Sequence, residues 1–227
     1  MFVVRHSQGW QGTRTRGKDK APMAHITSVA ELRKRLPEAN PMTRMKVRDH
    51  LDSQSIAFIG RSPFLLLSTV AEDGTVEVSP KGDEPGFVHV VDRNTLLFPD
   101  RPGNNLAFGH VNIIGNPQVG VIFLAPGTGE TLRVSGTATL HDDPDLCERL
   151  SARGKAARLV MKVIVRRAYF HCARSILRAN LWKPEVWDAD PLKVSFGKVF
   201  QEIGKVEDAM VPQIDARVQA GYAPENL

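Results

Sequence analysis

Three cations stand in this chain among groups that could share an anion with them. Lys81 lies in Ser79-Pro80-Lys81-Gly82-Asp83, Arg101 in Asp100-Arg101-Pro102-Gly103-Asn104-Asn105, and Arg133 in the middle of Thr131–Leu140. Ser79, Gly82, Gly103, Asn104, Asn105 and Thr131 surround them with hydrogen-bonding side chains and open backbone. Positive side chains and hydrogen-bond donors projecting from neighbouring strands are what a phosphate-bearing ligand requires. Arg133 poses the question most sharply. Its segment alternates, with Leu132, Val134, Gly136, Ala138 and Leu140 on one side and Thr131, Arg133, Ser135, Thr137 and Thr139 on the other. A half-buried strand is a costly place for an unpaired guanidinium, so Arg133 needs a carboxylate or a phosphate. For Lys81 or Arg101 taken alone, a surface salt bridge is the plainer explanation. Their joint appearance at strand ends favours a ligand.

The elements that must position these residues are short strands. Phe87–Val91 and Thr95–Phe98, joined by Asp92-Arg93-Asn94, read as a hairpin whose open end carries the Lys81 and Arg101 clusters side by side. Phe64–Val70 reads as a buried strand, Glu72-Asp73-Gly74-Thr75 as its turn, and Val76–Ser79 as the start of the return strand. Gln118–Leu124, Thr131–Leu140 and Val160–Phe170 complete a set of six or seven strands. Helices are expected from Ser28 to Leu36, over Thr43–Leu51, within Asn105–Gly115, from Asp143-Pro144 to about Ala152, near Ser175–Leu181, and over Lys198–Met210. Ile56–Gly60 reads as a lead into a Ser62-Pro63 turn, and the last dozen residues as loose. Strands at hairpin spacing with helices inserted rather than alternating favour a mainly β protein, a small antiparallel barrel, over a parallel sheet.

Charge narrows the partners. The chain has 227 residues and a net charge of +5, of which residues 1–22 contribute +4 (Arg5, Arg14, Arg16, Lys18, Lys20 against Asp19). The remainder is close to neutral, which argues against nucleic acid as the main partner. Residues 1–22 are expected to be a disordered basic extension, residues 23–200 the globular domain, and residues 201–227 a C-terminal helix and tail. No apolar run approaches the ~20 residues of a membrane helix. Cys147 and Cys172 are too few for a disulfide framework, which suggests a reduced, cytoplasmic setting.

Other chemistries lack their signatures. Neither G-x-G-x-x-G nor G-x-x-x-x-G-K-[ST] is present, nor is a G-x-S-x-G nucleophile elbow. Neither H-E-x-x-H nor C-x-x-C occurs, and no metal is expected. Asp142, Asp143 and Asp145 fit helix capping better than metal binding.

Four strings in order, Ser79–Asp83, Pro99–Asn105, Asn112–Gly120 and Gly129–Gly136, resemble the pyridoxamine 5′-phosphate oxidase-like family of FMN-binding split barrels. Phe170–Arg174 followed by Leu181-Trp182 adds to that resemblance, which spans roughly residues 43–190. It implies an antiparallel split β-barrel that binds FMN as a homodimer, with two cofactor sites at the subunit interface. Ser79, Pro80, Lys81 and Gly82 would lie along the flavin. Arg101, Asn104 and Asn105 would hold the ribityl phosphate or ring edge, and Thr131 and Arg133 would reach in from an adjoining strand. Arg174 and Trp182 would come from the second subunit. The acidic Trp187-Asp188-Ala189-Asp190 departs from the basic C-terminal signature with which the best-known member reads pyridoxine phosphate. The resemblance therefore implies an FMN-dependent oxidoreductase acting on another small molecule, with reduced nicotinamide as a candidate electron donor and no side chain assigned as catalytic. A flavin carrier without turnover, and a split barrel that uses haem or a deazaflavin, are the alternatives.

Overall fold

The computed structural model describes residues 25–204 and 206–224, so the disorder expected of residues 1–22 lies outside the described residues. The chain divides into two compact units, Met1–Asn40 and Pro41–Leu227. In the first, helix α1 (Val29–Arg35) begins at Ser28, whose Oγ accepts the Glu31 N–H at 3.1 Å. Glu31 reaches one residue beyond the expected capping box and takes the Thr27 N–H at 3.0 Å.

The second unit is built on one sheet. Its strands are β1 (Phe64–Val70), β2 (Val76–Gly82), β3 (His89–Asp92), β4 (Thr95–Pro99), β5 (Gln118–Leu124), β6 (Thr131–His141) and β7 (Val160–His171). They pair in the order β2-β1-β5-β6-β7-β4-β3, and every ladder is antiparallel. Among the described residues of this unit, seven α-helices accompany the strands: α2 (Pro41–Met45), α3 (Ser53–Ile59), α4 (Phe108–Gly115), α5 (Pro144–Arg149), α6 (Arg174–Ala179), α7 (Phe196–Glu202) and α8 (Val211–Gly221). The outcome is a mixed α/β fold around a multi-stranded antiparallel sheet.

Alternation makes the core. Leu65 and Leu67 of β1, Val121 and Phe123 of β5, Leu132 and Val134 of β6, and Val163 and Val165 of β7 are buried together. The sheet has two free margins, β2 and β3, and among the described residues no ladder joins them. Even so, Lys81 on β2 lies 3.4 Å from Asp100, which follows β4 near the other margin. The sheet is therefore strongly curved, and its margins meet through side chains and not through backbone pairing. Pro80 fits β2 because an edge strand can spare an N–H. Helix α4 packs on β1, β2 and β6 and is fixed there by Asn112, whose Nδ2 donates to the buried Thr69 hydroxyl at 3.1 Å.

Two expectations are corrected. The helix expected over Thr43–Leu51 stops at Met45, and a new one starts at Ser53. Tertiary pairing decides this: Arg48 bridges to Ala168 of β7, and the fully buried Leu51 donates its N–H to Arg93 O at 2.8 Å. Asp52 then caps α3 by accepting the Ser55 N–H at 2.8 Å. Near the C-terminus, the single helix expected over Lys198–Met210 is broken, and α8 takes in residues 216–221 of the dozen expected to be loose. Gly204, at φ +70°, ends the first part. Asp215 of α8 joins the two helices by accepting the Gly197 N–H at 2.9 Å and the Ser195 hydroxyl at 2.5 Å.

Candidate functional site

The hairpin β3–β4 turns through Arg93-Asn94, because Asp92 pairs directly with Thr95. Its open end brings the two polar clusters together. Pairing with β7 continues past β4: Asp100 N–H donates to Leu159 O at 2.9 Å, and Arg158 N–H to Asp100 O at 3.1 Å. From there the chain runs through Asn104 and Asn105 to α4. Asn105 and Ala107 both adopt left-handed backbone, at φ +58° and +53°. Ala107 caps α4 without any side-chain hydrogen bond, and while the His110 N–H donates to Ala107 O at 2.9 Å, the Phe108 and Gly109 N–H groups have no partner among the described residues.

These segments enclose a cavity of about 590 Å³. Ser79, Pro80 and Lys81 form one wall, Arg101 with Asn104 and Asn105 a second, and the first turn of α4 with Arg158 a third. Lys81 Nζ and His110 Nε2 approach the same oxygen of Asp100, at 3.4 and 3.3 Å. Burial pushes the Asp100 carboxyl toward its neutral form. The His110 hydrogen bond and the Lys81 charge together outweigh that and hold it below the ordinary value of 3.8. Arg158 Nη1 donates to Asn105 Oδ1 at 2.8 Å, and Asn104 Oδ1 accepts the Leu106 N–H at 3.1 Å.

Behind the wall sits an ion cluster. The Asp83 carboxylate is 1% exposed and receives Arg101 Nε at 2.7 Å and Arg153 Nη1 at 2.8 Å. Arg101 Nη2 donates to Leu150 O at 2.9 Å. Arg101 Nη1 is buried with no hydrogen-bond partner among the described residues. Arg101 thus ties three loops together and retains one unsatisfied donor beside the cavity.

The expected site residues fall in three places. Ser79, Pro80, Lys81, Arg101, Asn104 and Asn105 line the cavity. Gly82 ends β2 next to it, with Pro63 O and the Phe64 ring as its closest neighbours. Thr131 and Arg133 lie on the opposite face of the sheet, because Leu132 and Val134 between and beside them point into the core. Arg133 pairs with Ile122 on one side and Tyr169 on the other. Arg174 opens α6 in an exposed position. Trp182 follows α6, and its indole N–H donates to Thr128 O at 2.8 Å. One chain therefore does not bring Arg133, Arg174 or Trp182 to Lys81 and Arg101. Asp100, His110 and Arg158 were not anticipated in the cavity, nor were Asp83 and Arg153 behind it. Asp83 was readable from the Ser79–Asp83 string. Arg158 had no signal, being 53 residues from its partner Asn105. Among the described residues no group of three His, Cys, Asp or Glu side chains could hold a metal ion. No helix of the described residues is long and apolar enough to cross a membrane.

No curated protein matches the sequence. Among solved structures, the chain is similar to HupZ from Group A Streptococcus at 16% identity and a TM-score of 0.44, over 53% of this chain and 93% of that one. It is similar to an F420 reductase at 20% identity and a TM-score of 0.39, over 53% and 98%. It is also similar to an FMN-binding protein from Syntrophomonas wolfei subsp. wolfei at 9% identity and a TM-score of 0.40, over 62% and 95%. The family model described as pyridoxamine 5′-phosphate oxidase matches residues 51–172, more than half of the sequence and every strand of the sheet, and the chain belongs to that family.

Proposed function

We propose that this protein binds FMN and is an FMN-dependent oxidoreductase acting on a small molecule. The observation that carries the reading is the cavity at the β2 margin, where Lys81, the unsatisfied Arg101 Nη1 and the uncapped first turn of α4 meet. A phosphate there would receive charge-assisted hydrogen bonds from side chains and backbone N–H groups together. Asn104, Asn105 and Ser79 offer further polar groups to a ribityl chain. When bound, FMN supplies hydride or electron transfer, with a reduced nicotinamide as candidate donor. The protein's part is to hold and orient the cofactor and to exclude water from its phosphate end. Asp83 keeps Arg101 in place for that task, and Asp100 does the same for Lys81. We place the working unit as a split-barrel homodimer, in which Arg174 and Trp182 of a second copy would reach the cofactor that their own chain's cavity does not.

The visible spectrum of protein purified without added cofactor tests this reading. An FMN spectrum is expected, and a colourless protein that also fails to take up added FMN would refute it. A deazaflavin or haem spectrum would reassign the cofactor. Flavin that never consumes reduced nicotinamide with any acceptor would make the protein a carrier. Lys81→Met is expected to weaken FMN binding about tenfold or more, since a charge-assisted bond contributes ~1.5–3 kcal/mol. Riboflavin, which lacks the phosphate, should bind the variant and the parent equally well.

A further inference from the structure

On the face of the sheet opposite the Lys81 cavity, strand register gathers a second set of basic and hydroxyl groups. Arg133 of β6 pairs with Tyr169 of β7, and Ser135 with Arg167. Across the other ladder, Ser135 pairs with Gly120 of β5, and Gly120 with Ser68 of β1. All line one depression of about 400 Å³, within the size range of small-molecule sites. Leu66, Val78 and Ile122 supply apolar surface to the same depression. Gly120 has no side chain, and the nearest atom to its Cβ position is Ser68 Cβ at 3.8 Å, so the middle of the depression stays open.

Among the described residues the charge here is not compensated. Arg133 Nε is buried and has no hydrogen-bond partner among the described residues. Among the described residues neither Arg133 nor Arg167 forms an ion pair, and no Asp or Glu lines the depression. Arg133 is half-buried and Arg167 exposed; a guanidinium whose buried Nε lacks a partner is costly, and a second guanidinium nearby on the same face adds repulsion. The fork of Arg133, the Arg167 charge and the hydroxyls of Tyr169, Ser68 and Ser135 suit the oxygens of one carboxylate or phosphate group.

We propose that this depression binds a small organic anion, its carboxylate or phosphate head on Arg133 and Arg167 and its apolar body on Leu66, Val78 and Ile122. The site is distinct from the Lys81 cavity, with Val78 of the edge strand β2 bordering both, and it stands whether or not that cavity holds FMN. Calorimetric titration of the full chain with benzoate and with phenyl phosphate tests it, with benzamide as the uncharged control. At least one of the two anions should bind and benzamide should not, and the better anion identifies the head group. Arg133→Met and Arg167→Met should each weaken that binding about tenfold or more. Arg133→Lys, which keeps the charge without the fork, should fall between. Sedimentation behaviour and FMN retention should stay as in the parent. Binding that is absent from the parent, or equal in parent and variants, would overturn the proposal. Loss of FMN in Arg133→Met would overturn it by assigning the guanidinium to a flavin shared between two copies. Dissociation of a dimer in that variant would overturn it by assigning the charge to an acid of the second copy.

Discussion

Asp83 holds two guanidinium groups, one on each carboxylate oxygen, while itself 1% exposed. Removing one member of a fully buried ionic cluster costs about 3–5 kcal/mol. The cost here is lower, because the Arg101 and Arg153 side chains keep 21% and 39% of their surface in water. Asp83→Asn is therefore expected to destabilise the protein by about 2–4 kcal/mol in urea unfolding. A loss below about 0.5 kcal/mol, the usual range of surface substitutions, would show that the cluster holds nothing together. The same variant frees Arg101, so FMN affinity should fall as well, and more than riboflavin affinity does.

Register at the β6–β7 ladder decides which residues reach which face. A bulge between Ser135 and Gly136 shifts the pairing, so that Ser135 faces Arg167 and Gly136 faces Val165. Gly136 is required at that point because a Cβ would overlap the Ile164 carbonyl oxygen on the neighbouring strand. Gly136→Ala should force the two strands apart and either abolish folding or cost more than about 3 kcal/mol by overpacking. Circular dichroism and thermal unfolding would show it, and an unchanged melting curve would mean that the ladder can slide without loss. Sequence alternation already placed Gly136 on the core side. It held no trace of the bulge, because that depends on how closely β7 approaches.

At the scale of the whole molecule, Asp100 couples acid sensitivity to the meeting of the two sheet margins. Its carboxyl is held below 3.8 in the folded protein despite burial. A carboxyl whose folded value is depressed stabilises the fold above its unfolded value. That contribution is lost as the pH falls through the folded value. The parent should therefore be more stable than Asp100→Asn at pH 7, and the gap should close as the pH drops below 3.8. Urea unfolding at neutral and acid pH measures the gap, and one that widens on acidification would contradict the assignment.

Local pattern alone located the strands, which it counted as six or seven, and drew attention to the Lys81 and Arg101 clusters. Alternation of buried and open positions in Phe64–Val70, Gln118–Leu124 and Thr131–His141 is a property of neighbours in sequence. The end of α2 at Met45 was not legible, because Arg48 and Leu51 are drawn into extended backbone by Ala168 and Arg93, far along the chain. Nor was the helix α8 at the C-terminus, which leans on Gly197 and Ser195 through Asp215. The deepest divide concerns the cations. Composition and spacing could say that Lys81, Arg101 and Arg133 each need an anion. Hairpin spacing already put the Lys81 and Arg101 clusters side by side, and alternation put Arg133 opposite Leu132 and Val134. Only the tertiary structure showed that the Lys81 cavity opens on the core side of the sheet, so that Arg133 faces away from it, since the side of a strand that meets a distant loop is set by the path of the intervening strands.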